Sequence, residues 1–491
     1  MRVDNNLIRK FFNMLNIQII ITIIIIIIII IGVLWMVRKI MMLSIFVLIL
    51  GLFSTLVIAA EGDEDTVNWN FTTDDFDEVN DMIVDNGGIY VTGRSKSNLD
   101  IASSGWNTLV VKYGTDGNKL WNYTHSFATI SKNEKGKFLI TTNYGNGGSD
   151  DLIIFGADIS DYHSSDSEWD AYIGILNASN GEEIHNFTYG EGVYATEDDN
   201  IWGGSISVDA DAFYLAFTEY LDANTDDLVI KKYNLTNYSE ITSGWDKKLT
   251  SNVGLFPLDI ATTIDGDVFV SYYDTNDMRL KKYSSAGVED TANWNFTLTA
   301  DNSVVSEDIY LDTTNEKAYF LYKNKTSTLD QDWGLAVYSF AGVKDNSWTS
   351  DFGYDGSYSE PHSIVGDSDR IYISGLDNSS YTDDWVHRLL AYDLDANLVD
   401  GWNKTFDQTS SYTQAYSHLA LKSGVPPYLY WVIDQSNTAG ENVTFKEFEG
   451  GVAAAEAESV PEWSDLGYVL ILTIVSAGFF LMRRDEEEGE E

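Results

Sequence analysis

Short segments in which apolar residues alternate with polar ones recur from residue 61 to residue 452 and read as β-strands. One set is aromatic and β-branched: GIYVTG at Gly88, KFLITT at Lys137, AFYLAF at Ala212, DVFVSY at Asp267, KAYFLY at Lys317, RIYISG at Arg370 and YLYWVI at Tyr428. A second set follows it: LVVKY (109–113), AYIGIL (171–176), LVIKKY (228–233), RLKKY (279–283), LAVYS (335–339), LLAYD (389–393) and VTFKEF (443–448). Most members of the second set run into a short turn containing glycine (Gly117, Gly181, Gly287, Gly342), as a hairpin does. Weaker apolar strands, such as DMIVD at Asp81 and DIYLD at Asp308, precede each pair.

A fourth strand starts with tryptophan. W-N-F-T stands at Trp69 and Trp294, W-N-Y-T at Trp121 and W-N-K-T at Trp402, with weaker copies at His185, Trp245 and Trp348. These seven starts lie 49 to 64 residues apart. Four strands repeated seven times predict an all-β fold, a seven-bladed β-propeller over 61–452 with about 56 residues per blade. The last unit, 409–452, lacks a tryptophan strand, and the copy at Trp69 precedes the first full unit. The N-terminal strand is therefore expected to complete blade seven and close the ring. Within W-N-F-T, alternation places Trp and Phe on one face and Asn and Thr on the other.

The segment W-N-T-L-V-V-K-Y-G-T-D-G-N-K-L-W (106–121) resembles the repeat of seven-bladed propellers of the SBBP and PQQ-like type. The resemblance is sharp in blades one and six. It implies a fold and a surface or secreted setting, and no single activity.

The two ends address a membrane. Residues 1–60 form an apolar leader holding a poly-isoleucine span (17–37) and a second run (40–60) that reads as a secretory signal over about 36–60. Met36 is the expected start, which makes the poly-isoleucine stretch upstream sequence; the alternative is an additional membrane helix. After a linker (453–465), residues 466–482 are uncharged and long enough for one C-terminal transmembrane helix, and 483–491 form a charged tail. Arg483 and Arg484 place that tail in the cytoplasm and the propeller outside. Pro461-Glu462-Trp463, the apolar span and the arginine pair together resemble PEF-type sorting tails of archaeal surface proteins, with Trp463 replacing the third residue.

Charge and composition narrow the partners. The net charge is −46, and 61–482 carries all of it. Such a surface repels nucleic acid and attracts cations. No cysteine is present, so thiolate chemistry and disulfides are excluded. Eleven N-x-[ST] sequons, at Asn70, Asn122, Asn177, Asn186, Asn234, Asn237, Asn295, Asn324, Asn378, Asn403 and Asn442, are candidate glycosylation sites on an exported chain.

Candidate chemistry gathers at the innermost strands. The residue before each apolar core is Asp81, Phe127, Ser205, Asp259, Asp308, His362 and His418, and these are expected to ring one mouth of the channel. Asp81, Asp259, Asp308, His362 and His418 are candidate ligands for a divalent cation, with Ca²⁺ suited to the carboxylates. The competing reading makes them caps that hydrogen-bond the preceding loop. His125, His163 and His185 are expected to be solvated, and the pairs Asp150-Asp151, Asp226-Asp227 and Asp383-Asp384 to share a loop before the third strand. The chain contains neither G-x-S-x-G, H-E-x-x-H nor a P-loop. Two functions follow: a non-enzymatic surface module binding a protein or glycan, or a surface enzyme, polysaccharide-acting or quinone-dependent, at the channel mouth. Buried acids of shifted pKa at Asp259 and Asp308 favour the enzyme.

Overall fold

The chain divides into two compact units, residues 1–60 and 61–491. The computed structural model describes, within the second unit, residues 71–73, 78–95, 106–125, 134–142, 151–160, 169–189, 205–222, 225–245, 247–251, 255–274, 277–299, 303–325, 331–348, 358–378, 386–407, 416–422, 427–437 and 440–449. The leader, the C-terminal span, Asn70, Phe127 and His163 lie outside these residues.

The described residues form a seven-bladed β-propeller without helices. Blade one pairs Glu78–Asp85, Gly88–Ser95, Asn107–Tyr113 and Lys119–His125 in sequence order as an antiparallel meander. It is repeated with four strands in blades two, three, four and six, while blade five shows three strands among the described residues. Blade two runs from Glu134–Thr141 to Glu183–Tyr189, blade three from Ser205–Val208 to Lys247–Ser251, and blade four from Leu255–Thr262 to Asn295–Thr299. Blade five starts at Ser303–Asp312 and blade six at Tyr358–Gly366, and one parallel pair, Gln331 with Tyr358, joins them. In blade seven the sheet order begins with Phe71–Thr73, followed by Gly440–Glu449, Tyr428–Asn437 and Ser417–Lys422. Phe71 faces Phe445 in antiparallel register, so the N-terminal strand does close the ring.

The hydrophobic core is divided in the same way. Among the described residues there are seven buried clusters, each built from two neighbouring blades. Val79, Val91 and Val111 of blade one pack on Tyr430, Val432 and Phe445 of blade seven, which seals the closure. Each middle strand therefore has apolar neighbours on both faces, and GIYVTGRS is buried at seven of its eight positions. The alternation seen in outermost strands such as NFTLT, exposed at every other residue, is absent there.

That burial explains one misplacement in blade two. KFLIT belongs to the innermost strand, Glu134–Thr141, and the second strand is Leu152–Ser160. Both strands are aromatic and β-branched because both are covered on two sides, so composition does not rank them. The acidic pairs do not share a loop either. Asp226 and Asp227 lie inside the strand Thr225–Asn234, and Asp151 directly precedes Leu152–Ser160; Asp383 and Asp384 lie outside the described residues.

In three blades a tryptophan fastens the blade to the next. Trp294 is fully buried, and its Nε1 donates to the carbonyl of Phe340 in the next blade at 2.9 Å. Trp245 donates likewise to Ser285 at 2.8 Å and Trp121 to Ala178 at 3.2 Å. A lysine from the third strand of the same blade reaches each of these carbonyls: Lys282 to Phe340 at 3.2 Å, Lys232 to Ser285 at 3.4 Å and Lys112 to Ala178 at 2.8 Å. The accepting carbonyl sits in the turn after the third strand, a turn Gly287 enters at φ 76° in blade four. A Cβ on Gly287 would stand 2.0 Å from the Gly244 carbonyl oxygen of blade three.

Candidate functional site

The innermost strands bring Asp81, Asp259, Asp308, His362 and His418 to one cavity of about 370 Å³, together with Lys137, Ser207, Glu307 and Ser363. Ser205 begins the innermost strand of blade three. Five of the seven expected positions thus line one cavity; Ser205 does not line it and Phe127 lies outside the described residues, and the assignments in blades two and six change. Register shifts between Val79 and Asp81, Gly136 and Phe138, Pro257 and Asp259, Ser306 and Asp308, and Pro361 and Ser363 mark a bulge in five blades. Aligned on that bulge, the partner of Asp81 in blade two is Phe138, and in blade six it is Ser363. His362 is the extra residue of its bulge and corresponds to Asn80, Lys137 and Glu307. One inserted residue re-aims the side chains around it and leaves no trace in a two-residue period.

Each aspartate of the ring ties its own blade to the next. Asp81 accepts from Met82 N at 2.7 Å and, across the interface, from Leu139 N at 2.8 Å. Asp259 accepts from Ile260 N at 2.8 Å and from Ile309 N at 2.6 Å. Asp308 accepts from Ile309 N and Ile364 N, both at 2.8 Å, and from Ser363 Oγ at 3.1 Å. The serines continue the pattern: Leu419 N donates to Ser363 Oγ at 3.3 Å, and Thr262 N to Ser207 Oγ at 2.9 Å. Blade seven meets blade one where Val79 N donates to Asp434 at 3.2 Å. The capping reading held that these residues satisfy a preceding loop; they satisfy the next blade instead.

The histidines sit in the same circuit. Ser417 N donates to His362 Nδ1 at 3.1 Å, which leaves the neutral ring its proton on Nε2. A hydrogen bond to the Val79 backbone favours the charged form of His418, so that ring donates there. In both rings Nε2 is buried without a hydrogen-bond partner. Burial pushes His362 down to about 4, with Lys323 adding to the effect, and His418 down to about 3, with His362 adding. Both imidazoles are neutral at pH 7.

The acids are displaced the other way. Desolvation raises Asp81 to about 7 against its backbone bonds, and the charge of Asp308 adds to the rise. Desolvation also raises Asp308, opposed by its backbone bonds and by a side-chain hydrogen bond with Asp259. The condition that favours an enzyme is therefore met in part, at Asp308. Its cause is burial inside an inter-blade bond, where both oxygens already accept from backbone.

Beside the cavity, Lys323 bridges Glu360 at 2.9 Å and Glu307 at 3.6 Å. Glu78 pairs with Arg94 and Lys135, and Arg94 stacks 4.1 Å above the Trp106 ring. These charges occupy positions the sequence reading did not single out, since nothing in a strand pattern marks which polar residues meet across blades. Among the described residues, no three His, Asp or Glu side chains stand together as a ligand set.

The remaining histidines differ from one another. His125 is only 15% exposed and lies 3.1 Å from the buried Glu134, so it is not solvated as expected. His185 is exposed and stacks on Tyr238 at 5.0 Å. Among the sequons, Asn122, Asn186, Asn237, Asn295 and Asn403 are exposed, and Asn177, Asn234 and Asn324 are half-buried.

No family model matches the chain. No curated protein matches it either. Among solved structures, it is similar to the subtype N10 neuraminidase-like protein of A/little yellow-shouldered bat/Guatemala/060/2010, at 12% identity and a TM-score of 0.36, over 61% of this chain and 91% of that one. At that distance the likeness carries no argument about activity.

Proposed function

We propose that the chain is a membrane-anchored, extracellular β-propeller that serves as a cell-surface binding or adhesion module without enzymatic activity. One observation carries the reading: the acids at the channel mouth, where a propeller enzyme would place its chemistry, spend their oxygens on holding neighbouring blades together. Recognition then belongs to the loops of a rigid ring, where partner choice varies without disturbing the fold. The leader and the C-terminal apolar span support the outside location, and the acidic surface supports a partner that is a protein or glycan rather than nucleic acid.

The test is made on intact cells. A membrane-impermeant amine reagent is expected to label the propeller lysines, and the purified propeller to bind envelope material with Asp308→Asn as well as with the native residue. Absence of labelling on cells that carry the chain would overturn the location. The enzyme reading rests on the raised pKa of Asp308 and its bond to Asp259. It predicts turnover of a polysaccharide or a quinone-dependent substrate that Asp308→Asn abolishes. A divalent cation at the ring is a further proposal, decided by melting of the chain with EDTA and with Ca²⁺, Mn²⁺ or Zn²⁺.

A further inference from the structure

Four blades place an asparagine at one register of their outermost strand. Asn122 faces Val111, Asn186 faces Gly174 and Asn295 faces Lys281. Asn403 directly precedes Lys404, which faces Leu389, and so occupies the same place in blade six. In every case the position lies opposite the residue two before the third strand's last buried side chain: Tyr113, Leu176, Tyr283 or Tyr392. All four asparagines are exposed, and each is followed two residues later by threonine.

Strand chemistry does not explain the choice. The outward face requires only a polar residue, and asparagine is depleted in strands. Blade three has Asp246 at the corresponding place in the sequence W-D-K. Other sequons have a structural occupation: the Asn177 oxygen accepts from Ser179 N at 2.8 Å, that of Asn234 from Thr236 N at 2.7 Å and that of Asn237 from Ser239 N at 3.1 Å, which fixes tight turns. On the outer strands the bonds are surface ones, from Asn186 to Glu183 and from Arg388 to Asn403 at 3.2 Å. They are released without stranding a buried group.

The same strands are the sheet edges. Lys119–His125, Glu183–Tyr189, Asn295–Thr299 and Lys404–Asp407 each end their sheet, with no further strand beside them among the described residues. Open edges invite pairing with another chain unless something covers them.

We propose that Asn122, Asn186, Asn295 and Asn403 carry N-linked glycans, a belt around the perimeter that covers the open edges and leaves both propeller faces free. The proposal rests on the extracellular reading. The co-reactant is a lipid-phosphate-linked oligosaccharide of the exporting cell. Asn Nδ2 forms a bond to the anomeric carbon, the bond from that carbon to the phosphate oxygen breaks, the lipid phosphate leaves with the electron pair, and one amide proton passes to solvent.

The full chain, isolated from the membranes of its own cells, is digested and its peptides weighed, while protease treatment of intact cells reports its location. Saccharide mass on the four peptides, lost one at a time in Asn→Gln variants, is the expected result. Unmodified peptides on a protease-accessible chain overturn the belt and leave the surface reading intact. Unmodified peptides on an inaccessible chain overturn both. Mass confined to Asn177, Asn234 and Asn237 overturns the belt as well. The quadruple Asn→Gln chain is expected to melt as the unglycosylated native sequence does and to self-associate in size-exclusion chromatography where the glycosylated chain is monomeric. A monomeric quadruple variant overturns the edge-covering role.

Discussion

The indole N–H of Trp294 donates to the carbonyl of Phe340, 2.9 Å away in the neighbouring blade, and Lys282 reaches the same oxygen at 3.2 Å. One carbonyl thus gathers two donors from the blade before it. Trp294 is a fastening, as Trp121 and Trp245 are in their blades, whereas Trp402 Nε1 is buried without a hydrogen-bond partner among the described residues; the asparagine beside Trp294 takes no part.

Substitution separates the two residues. Trp294→Ala is expected to cost about 3–5 kcal/mol, as deletion of a large buried aromatic does. Trp294→Phe keeps most of the volume and loses the hydrogen bond; about 1–2 kcal/mol is expected. Asn295→Gln changes an exposed residue and is expected to stay within about 0.5 kcal/mol. Denaturant unfolding of the unglycosylated chain measures all three. Equal effects at Trp294 and Asn295 would refute the division.

The legible part of this fold was the periodic part. Seven repeat starts, six of them tryptophan and one His185, indicated the number of blades, and the unmatched copy at Trp69 led to the closing strand, found at Phe71–Thr73. What stayed hidden has two causes. Glu134–Thr141 and Leu152–Ser160 both lie between blades, and burial on two faces removes the alternation that would rank them. The bulge before Ser363 adds one residue without changing composition, so His362 stood in for Ser363. At the channel, residue types indicated where polar groups converge. Their use, acceptance of backbone N–H groups from the next blade, depends on contacts more than 50 positions apart, such as Asp81 with Leu139.

Removing Asp308 tests those contacts. Asp308→Ala strands the amide of Ile364, while Ile309 N keeps Asp259 as acceptor at 2.6 Å, and a loss of about 1–3 kcal/mol is expected. Hydrogen exchange at Ile364, in the next blade, should accelerate, and exchange at Ile309, still held by Asp259, should change less. Acceleration confined to blade five would contradict a bond between blades.

The closing strand has a similar consequence. A chain beginning at residue 78 lacks Phe71–Thr73 and bares the edge of Gly440–Glu449. It is expected to unfold at lower denaturant and to self-associate through that edge. Size-exclusion chromatography and unfolding midpoints unchanged from those of the longer chain would show that the ring does not need the strand.

The acidic and basic sides of the pH profile have different origins. His362, at about 4 when folded, is depressed below its unfolded value of about 6.5. Its contribution is whole above pH 6.5 and is lost as pH falls towards 4, because the unfolded chain takes up the proton first. Asp81, raised to about 7, contributes most in acid and loses that contribution as pH rises towards 7. Each has a slope of up to about 1.4 kcal/mol per pH unit where it acts alone. Unfolding free energies of His362→Asn are expected to decline less below pH 6.5, the remainder coming from His418, and those of Asp81→Ser to decline less on the way to pH 7. A profile unaltered by either substitution would show that these groups are not buried as described.

The most direct test of the ring as an inter-blade fastening is the melting of the full chain, in a mild detergent, with EDTA and with Ca²⁺, Mn²⁺ or Zn²⁺, comparing the native sequence with Asp259→Ala/Asp308→Ala. A cation held at 100 times its dissociation constant would add about 2.7 kcal/mol. The account predicts that the double substitution lowers the melting temperature by the same amount in every solution. A metal-specific rise in the native chain that the double variant lacks would contradict it and make the channel mouth a cation site.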